Sequence, residues 1–156
     1  MRILGIDPGF DRLGLAVIEG NPSKPTFVWS DCVEPEKGSV EMRLAAVSRA
    51  VTSVIKKYHP DALAIETLFF STNRKTAMGV AQARGAILAA AGALKVHVVE
   101  FSPQQVKLAV TGHGASDKAA IARMLPKLIA LPDKKRRDDE LDALAVALAG
   151  LSTQGR

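Results

Sequence analysis

The chain has 156 residues, 47% of them apolar and 24% charged, with a formal net charge of +5. That length suits one domain, 1–156, with a sizeable core, and the composition excludes a disordered or fibrous chain. The single cysteine, Cys32, excludes an internal disulfide and a multi-cysteine zinc site and fits a reducing cytoplasm.

The positive charge favours an acidic partner, nucleic acid first. Aromatic residues make up only 4% of the chain, so the core is expected to be aliphatic and rich in alanine. Asp7, Pro8 and Gly9 interrupt any apolar leader, and the apolar run at 86–94 is far too short to span a bilayer. A soluble protein with no membrane partner is the expectation.

Ile3-Leu4-Gly5-Ile6-Asp7 reads as a buried strand that ends in a carboxylate, with Pro8 and Gly9 turning the chain. A buried carboxylate is costly unless hydrogen bonds or a metal satisfy it. Leu13-Gly14-Leu15-Ala16-Val17-Ile18 follows as a hairpin partner, and Thr26-Phe27-Val28-Trp29 is a third strand after a Pro-rich loop. From Val40 the period changes, and Leu44, Val47, Val51, Val54 and Ile55 predict an amphipathic helix ending near Tyr58. Ala62-Leu63-Ala64-Ile65-Glu66 is another buried strand ending in an acid. An Ala-rich helix is expected over 72–94, and Val96-His97-Val98-Val99 is a fifth strand.

Ser102 and Pro103 predict a helix start, Gly112-His113-Gly114 a flexible turn, and Ser116-Asp117 a second cap. That second helix has Ile121, Met124, Leu125 and Leu128 as its apolar face and Pro126 as a kink. Residues 132–137 form a charged loop, and Asp138 opens a last helix with Leu141, Leu144, Ala145 and Leu148 as the buried face. The layout predicts an α/β fold with a five-stranded mixed sheet flanked by helices.

Asp7 and Glu66 both end apolar strands, a recurring position for active sites in α/β sheets. Asp139 and Asp142 lie three apart on the last helix and share one face; Asp138, four before Asp142, is a further acid able to turn that way. Converging carboxylates repel one another, and hard divalent cations with oxygen ligands relieve the repulsion. Two such ions about 4 Å apart activate water and stabilise the leaving oxygen in phosphodiester hydrolysis. Singly, each acid has an ordinary explanation, as a turn-former before Pro-Gly or as a complement to a helix dipole. Two strand-end acids together with a helical pair point to a metal-dependent nuclease.

Gly5-Ile6-Asp7-Pro8-Gly9, Ala64-Ile65-Glu66, Gln82-Ala83-Arg84-Gly85, Gln105-Val106-Lys107 and Asp142-Ala143-Leu144-Ala145 occur in that order. As an ordered set they resemble the RuvC family, the bacterial crossover junction endodeoxyribonucleases, nearly from end to end. The resemblance implies an RNase H-like nuclease domain acting as a homodimer. It implies cutting of four-way (Holliday) junctions with paired symmetric nicks, using Mg²⁺ or Mn²⁺, alongside the RuvA–RuvB branch-migration complex. The family's four acids map onto Asp7, Glu66, Asp139 and Asp142, with Asp138 as the alternative register for Asp139.

Lys107 and Lys118 match family lysines near the scissile phosphate. Phe69 matches an aromatic that stacks on junction bases, with Phe70 as the competing candidate; such stacking is worth about 1–3 kcal/mol. Arg74 and Lys75 are placed for backbone phosphates, and the long helix is the candidate dimer surface. Arg84 reads as either structural or DNA-facing, Lys134-Lys135-Arg136-Arg137 as solvated loop or phosphate contact, and His113 as incidental.

Three other readings compete. Asp7-x-Gly9-x₄-Gly14 fits the phosphate-binding hairpin of actin-like kinases, which need a second domain. Asp11-Arg12-Leu13-Gly14 leans towards the YqgF-type nucleases that act on RNA. A junction-binding protein without cleavage is the third, although no expected acid is replaced.

Overall fold

A computed structural model describes residues 1–68 and 74–153, and the side chains of Arg74 and Lys75 also lie outside the described set. Strands β1 (Arg2–Asp7), β2 (Leu13–Asn21) and β3 (Lys24–Val33) form an antiparallel meander. The Asn21 side chain closes its second turn by accepting from the backbone N–H groups of Ser23 and Lys24, each at 3.0 Å. β3 is longer than the apolar run 26–29, because its added residues are fixed by pairing with β2 rather than by a pattern of their own.

Helix α1 (Val40–Tyr58) and strand β4 (Ala62–Glu66) have the predicted bounds. Helix α2 (Arg74–Ala93) leads to strand β5 (His97–Phe101), which lies slightly later than expected because Glu100 and Phe101 pair with Ile65 and Glu66. Ser102 and Gln105 form a reciprocal capping box at the start of α3 (Pro103–Thr111). Asp117 caps α4 (Lys118–Leu128) by accepting from the Ala120 N–H at 2.7 Å, and that helix runs two residues past Pro126. The last helix is α5 (Asp138–Thr153).

The five strands lie in the order β3-β2-β1-β4-β5, with β4 parallel to both β1 and β5. Alternation along the strands gives the sheet two unlike faces. Leu4, Ile6, Leu13, Leu15, Val17, Leu63 and Ile65 point towards α1 and α2, where Val47, Val51, Ile55 and Ile87 fill the space. The opposite face is built mostly from small residues, among them Ala16, Ala62 and Ala64, and receives α5, with α3 and α4 packed beyond it.

Helix α5 departs from the expected amphipathic pattern. Every residue from 143 to 151 is buried, while Leu141 is only partly so. A helix held between a sheet and two other helices has no solvent stripe, so its sequence is apolar all round. Its close approach to the sheet depends on Gly5, where a Cβ would lie 2.2 Å from the Ala143 carbonyl oxygen and 2.6 Å from the Ala147 nitrogen. Both atoms are backbone and cannot turn aside. Gly5→Ala is therefore expected to destabilise the protein by about 3 kcal/mol, the upper end of the range for overpacking. Urea denaturation followed by circular dichroism measures it, and a midpoint unchanged from wild type would contradict the seating of α5 on β1.

Candidate active site

The alternation that places Ile3 and Gly5 against α5 also places Asp7 there, and Ala62 and Ala64 do the same for Glu66. Ile6 is in register with Ile65, so the two acids lie side by side at the carboxyl ends of adjacent parallel strands. α5 contributes the other pair from its first turns. The Asp139 carbonyl oxygen would be 2.0 Å from any Cβ on Gly14 of β2, so this glycine allows the acidic end of the helix to settle on the end of the sheet.

The acids share one electrostatic environment. Burial, then Asp142, Asp139 and Glu66 in decreasing order, push Asp7 up to about 7, while Lys118 acts the other way. Glu66 is raised by burial and by Asp142, and Lys118 and Lys107 oppose that. Lys118 hydrogen-bonds Asp142 at 2.8 Å, which raises its own proton affinity. Asp138 is exposed and acts on Lys118 rather than on Asp7, so the acid of that turn which faces Asp7 is Asp139.

Of the remaining residues singled out in the sequence, Lys107 and Lys118 are brought to the acids. Phe69 and Phe70 lie outside the described residues, as do the side chains of Arg74 and Lys75. His113 is exposed and within 3.4 Å of the Thr111 carbonyl in its own turn. In the basic run, Lys134 pairs with Glu140 at 3.4 Å and Arg137 pairs with Glu34. Arg136 bonds the Pro132 carbonyl at 3.0 Å and lies 5.1 Å from the centre of the Phe27 ring. Three of the four cations thus have partners within the protein.

Sequence reasoning missed several residues around the site. Glu140, between the two site acids in sequence, is 4% exposed and accepts from the Ser30 hydroxyl at 2.8 Å. Its other oxygen reaches back to the Arg137 N–H, which fixes the start of α5. Within Asp138-Asp139-Glu140 no sequence signal separates a buried anchor from a site acid. Cys32 lies 3.8 Å from Asp139, and burial pushes its thiol up to about 11. Arg84 is buried, pairs with Glu100 at 2.5 Å and reaches the Glu66 carbonyl at 3.4 Å. Unlike Glu140 and Cys32, it was singled out in the sequence, and it takes the structural one of its two readings by bracing the strand end that carries Glu66.

Four carboxylates, two of them with raised proton affinities, form a hard, oxygen-rich donor set that Lys118, Lys107 and Arg12 only partly neutralise, which fits divalent cations of the Mg²⁺ type. Among the described residues no three His, Cys, Asp or Glu side chains stand close enough to enclose an ion. Asp142 faces Lys118, and Asp139 faces Cys32 and, at 4.0 Å, Arg12. The donors are gathered but not drawn together.

A family model described as crossover junction endodeoxyribonuclease RuvC matches residues 3–150. The chain belongs to the RuvC family. A RuvC of Thermosipho melanesiensis is 42% identical over 148 residues, covering 94% of each chain. The structure of Thermus thermophilus RuvC in complex with a Holliday junction substrate matches with a TM-score of 0.89 at 33% identity, covering 96% of this chain and 92% of that one. A yeast mitochondrial Holliday junction resolvase shares the fold, with a TM-score of 0.75 at 13% identity, covering 98% of this chain and 78% of that one. The RNase H-like architecture expected from the sequence is the one observed, and the RuvC family is one of metal-dependent nucleases.

The protonation of Asp7 can be tested without substrate. A carboxyl raised from 3.8 to about 7 holds its proton more tightly in the folded state than in the unfolded chain. Metal-free stability should therefore fall as pH rises from about 4 to about 7. Asp7→Asn removes that loss. It is expected to be more stable than wild type at pH 8 by up to a few kcal/mol, since each tenfold in proton affinity is worth about 1.4 kcal/mol. The advantage should vanish towards pH 4. Thermal melts in chelator across that range check this, and an advantage independent of pH would contradict it.

Proposed function

We propose that this chain resolves Holliday junctions in the cytoplasm, as a homodimer that makes paired symmetric nicks with Mg²⁺, for which Mn²⁺ can substitute, and works with the RuvA–RuvB branch-migration complex. The observation that carries this reading is the gathering of Asp7, Glu66, Asp139 and Asp142 at one sheet end, with Lys107 and Lys118 beside them. The fold and the match to a RuvC solved with a Holliday junction support it. Two active sites facing opposed strands require a two-fold dimer, and residues 1–156 serve as a single nuclease domain.

Asp7, Glu66, Asp139 and Asp142 would hold two divalent ions, which when bound supply an activated water and stabilise the leaving oxygen. Asp7 is central because it feels all three other acids, and to serve as a ligand it must give up its proton. Glu66 is raised in the same way, with Lys118 and Lys107 opposing the shift and favouring its charged form. The Lys118 side chain is 79% exposed and carries a charge suited to a phosphate oxygen once Asp142 no longer engages it. Arg84 holds the backbone of Glu66, and Glu140 holds the helix turn of Asp139; both keep donor positions fixed. Phe69, with Phe70 as the alternative, would stack on junction bases, and Arg74 and Lys75 would contact phosphates.

A synthetic four-way junction tests this directly. Wild type with Mg²⁺ is expected to nick opposed strands at symmetric positions, and Asp7→Asn to lose roughly 100-fold or more in rate while still binding. Binding should weaken steeply with salt as counterions are released. Wild-type binding without nicking would leave only a junction-binding module, and preferential cleavage of RNA would favour the YqgF-like alternative.

A further inference from the structure

Asp7 leaves the sheet into the turn formed by residues 8–12, which makes no backbone hydrogen bond within itself among the described residues. Proline at position 8 has no N–H to give. The turn is instead held from outside by Arg43 on α1. Arg43 Nη2 donates to the Phe10 carbonyl at 3.0 Å and to Asp11 Oδ1 at 2.6 Å. The guanidinium carbon lies 4.1 Å from the centre of the Phe10 ring. This side chain is only 14% exposed, and its Nε is buried with no hydrogen-bond partner among the described residues.

A buried donor without an acceptor costs about 1–3 kcal/mol. The guanidinium is thus placed for the turn, at some cost to its own hydrogen bonding. The Phe10 ring also packs closely against α2, where a Cβ on Gly79 would lie 2.9 Å from it. At its far end the turn presents Arg12, which is 3.5 Å from Glu34 and 4.0 Å from Asp139. One short segment therefore begins at Asp7 and ends against Asp139, with Arg43 and Gly79 gripping its middle.

We propose that Arg43 is a positioning residue for the acidic site: by clamping Phe10 and Asp11 against α1 and α2 it sets the spacing of Asp7 relative to Asp139, and hence the affinity for divalent cations. This rests on the nuclease reading above. Lysine cannot replace the function fully: one nitrogen, Nη2, makes both hydrogen bonds and an ammonium could do the same, but it could not also lay a planar cation over the Phe10 ring.

The test is direct Mn²⁺ binding, read from the free-ion electron paramagnetic resonance signal, alongside the Mg²⁺ midpoint for junction nicking. Arg43→Ala is expected to weaken Mn²⁺ binding roughly tenfold or more, as loss of a supporting partner does in metal sites. The Mg²⁺ midpoint should rise in step, while junction affinity in chelator stays as in wild type. Arg43→Lys should recover part of the loss. Arg2→Ala is the control for general destabilisation. It removes the clamp at the opposite end of β1, where Arg2 pairs with Glu19 at 2.7 Å and bonds the Tyr58 carbonyl at 2.5 Å. It should leave Mn²⁺ affinity unchanged.

Wild-type affinity in Arg43→Ala, or an equal loss in Arg2→Ala, would overturn the proposal. Should Arg43→Ala not fold, Asp11→Asn decides. That side chain is 82% exposed, so its substitution removes the ion pair without opening the core. Weaker Mn²⁺ binding supports the clamp, and unchanged binding overturns it. If wild type binds Mn²⁺ but nicks no junction, the nuclease reading fails, while the order of Mn²⁺ affinities still decides the role of Arg43.

Discussion

The site depends on how closely α5 can approach the sheet. Two carboxylates come from strands and two from that helix, and they meet only if helix backbone touches strand backbone. Gly5 and Gly14 make this possible, since a methyl group at either would overlap the backbone of α5. The contrast between the two sheet faces follows from the same requirement. The face towards α1 and α2 is built from leucine, isoleucine and valine, while the face towards α5 is mostly glycine and alanine near the site. Bulk on the first face provides burial, and its absence on the second provides proximity.

Proximity of like charges has a cost, and the surrounding residues distribute it. Asp7 carries most of it because it is largely shielded from solvent and flanked by three other acids. Lys118 and Lys107 offset part of the repulsion, Cys32 and Arg12 face Asp139, and Asp142 is tied to Lys118. Positions are held by groups that do not belong to the acidic set. Glu140 anchors the helix start to β3, Arg84 anchors the end of β4, and Arg43 grips the turn after β1. The result is a cluster that stays together through neighbouring packing rather than through mutual attraction.

The sequence was most informative where one local cause determines an element. Ser102 and Pro103 marked the start of α3, where the structure adds Gln105 to complete the capping box, and Asp7 and Glu66 were visible because a carboxylate ends an otherwise apolar run. It was less informative where a neighbour decides. The outer part of β3 is a strand because β2 pairs with it, and α5 loses its polar stripe because α3 and α4 cover it. Glu140 and Asp139 are chemically alike and adjacent, yet one is an anchor and the other faces Asp7, a difference made wholly by what lies opposite each.

By itself, then, the sequence determined the order of elements, the alternation that turns Asp7 and Glu66 to one face, and the helical spacing that puts Asp139 and Asp142 together. These follow from periods of two and 3.6 residues, which are properties of the local chain. The tertiary structure decided that the two pairs meet, that Asp139 rather than Asp138 faces Asp7, and that most of the basic run is engaged within the protein. It also placed Arg43 against the turn that follows Asp7 and Arg84 against the end of the strand that carries Glu66. Such relations link residues far apart in the chain, and only packing sets the distances between them.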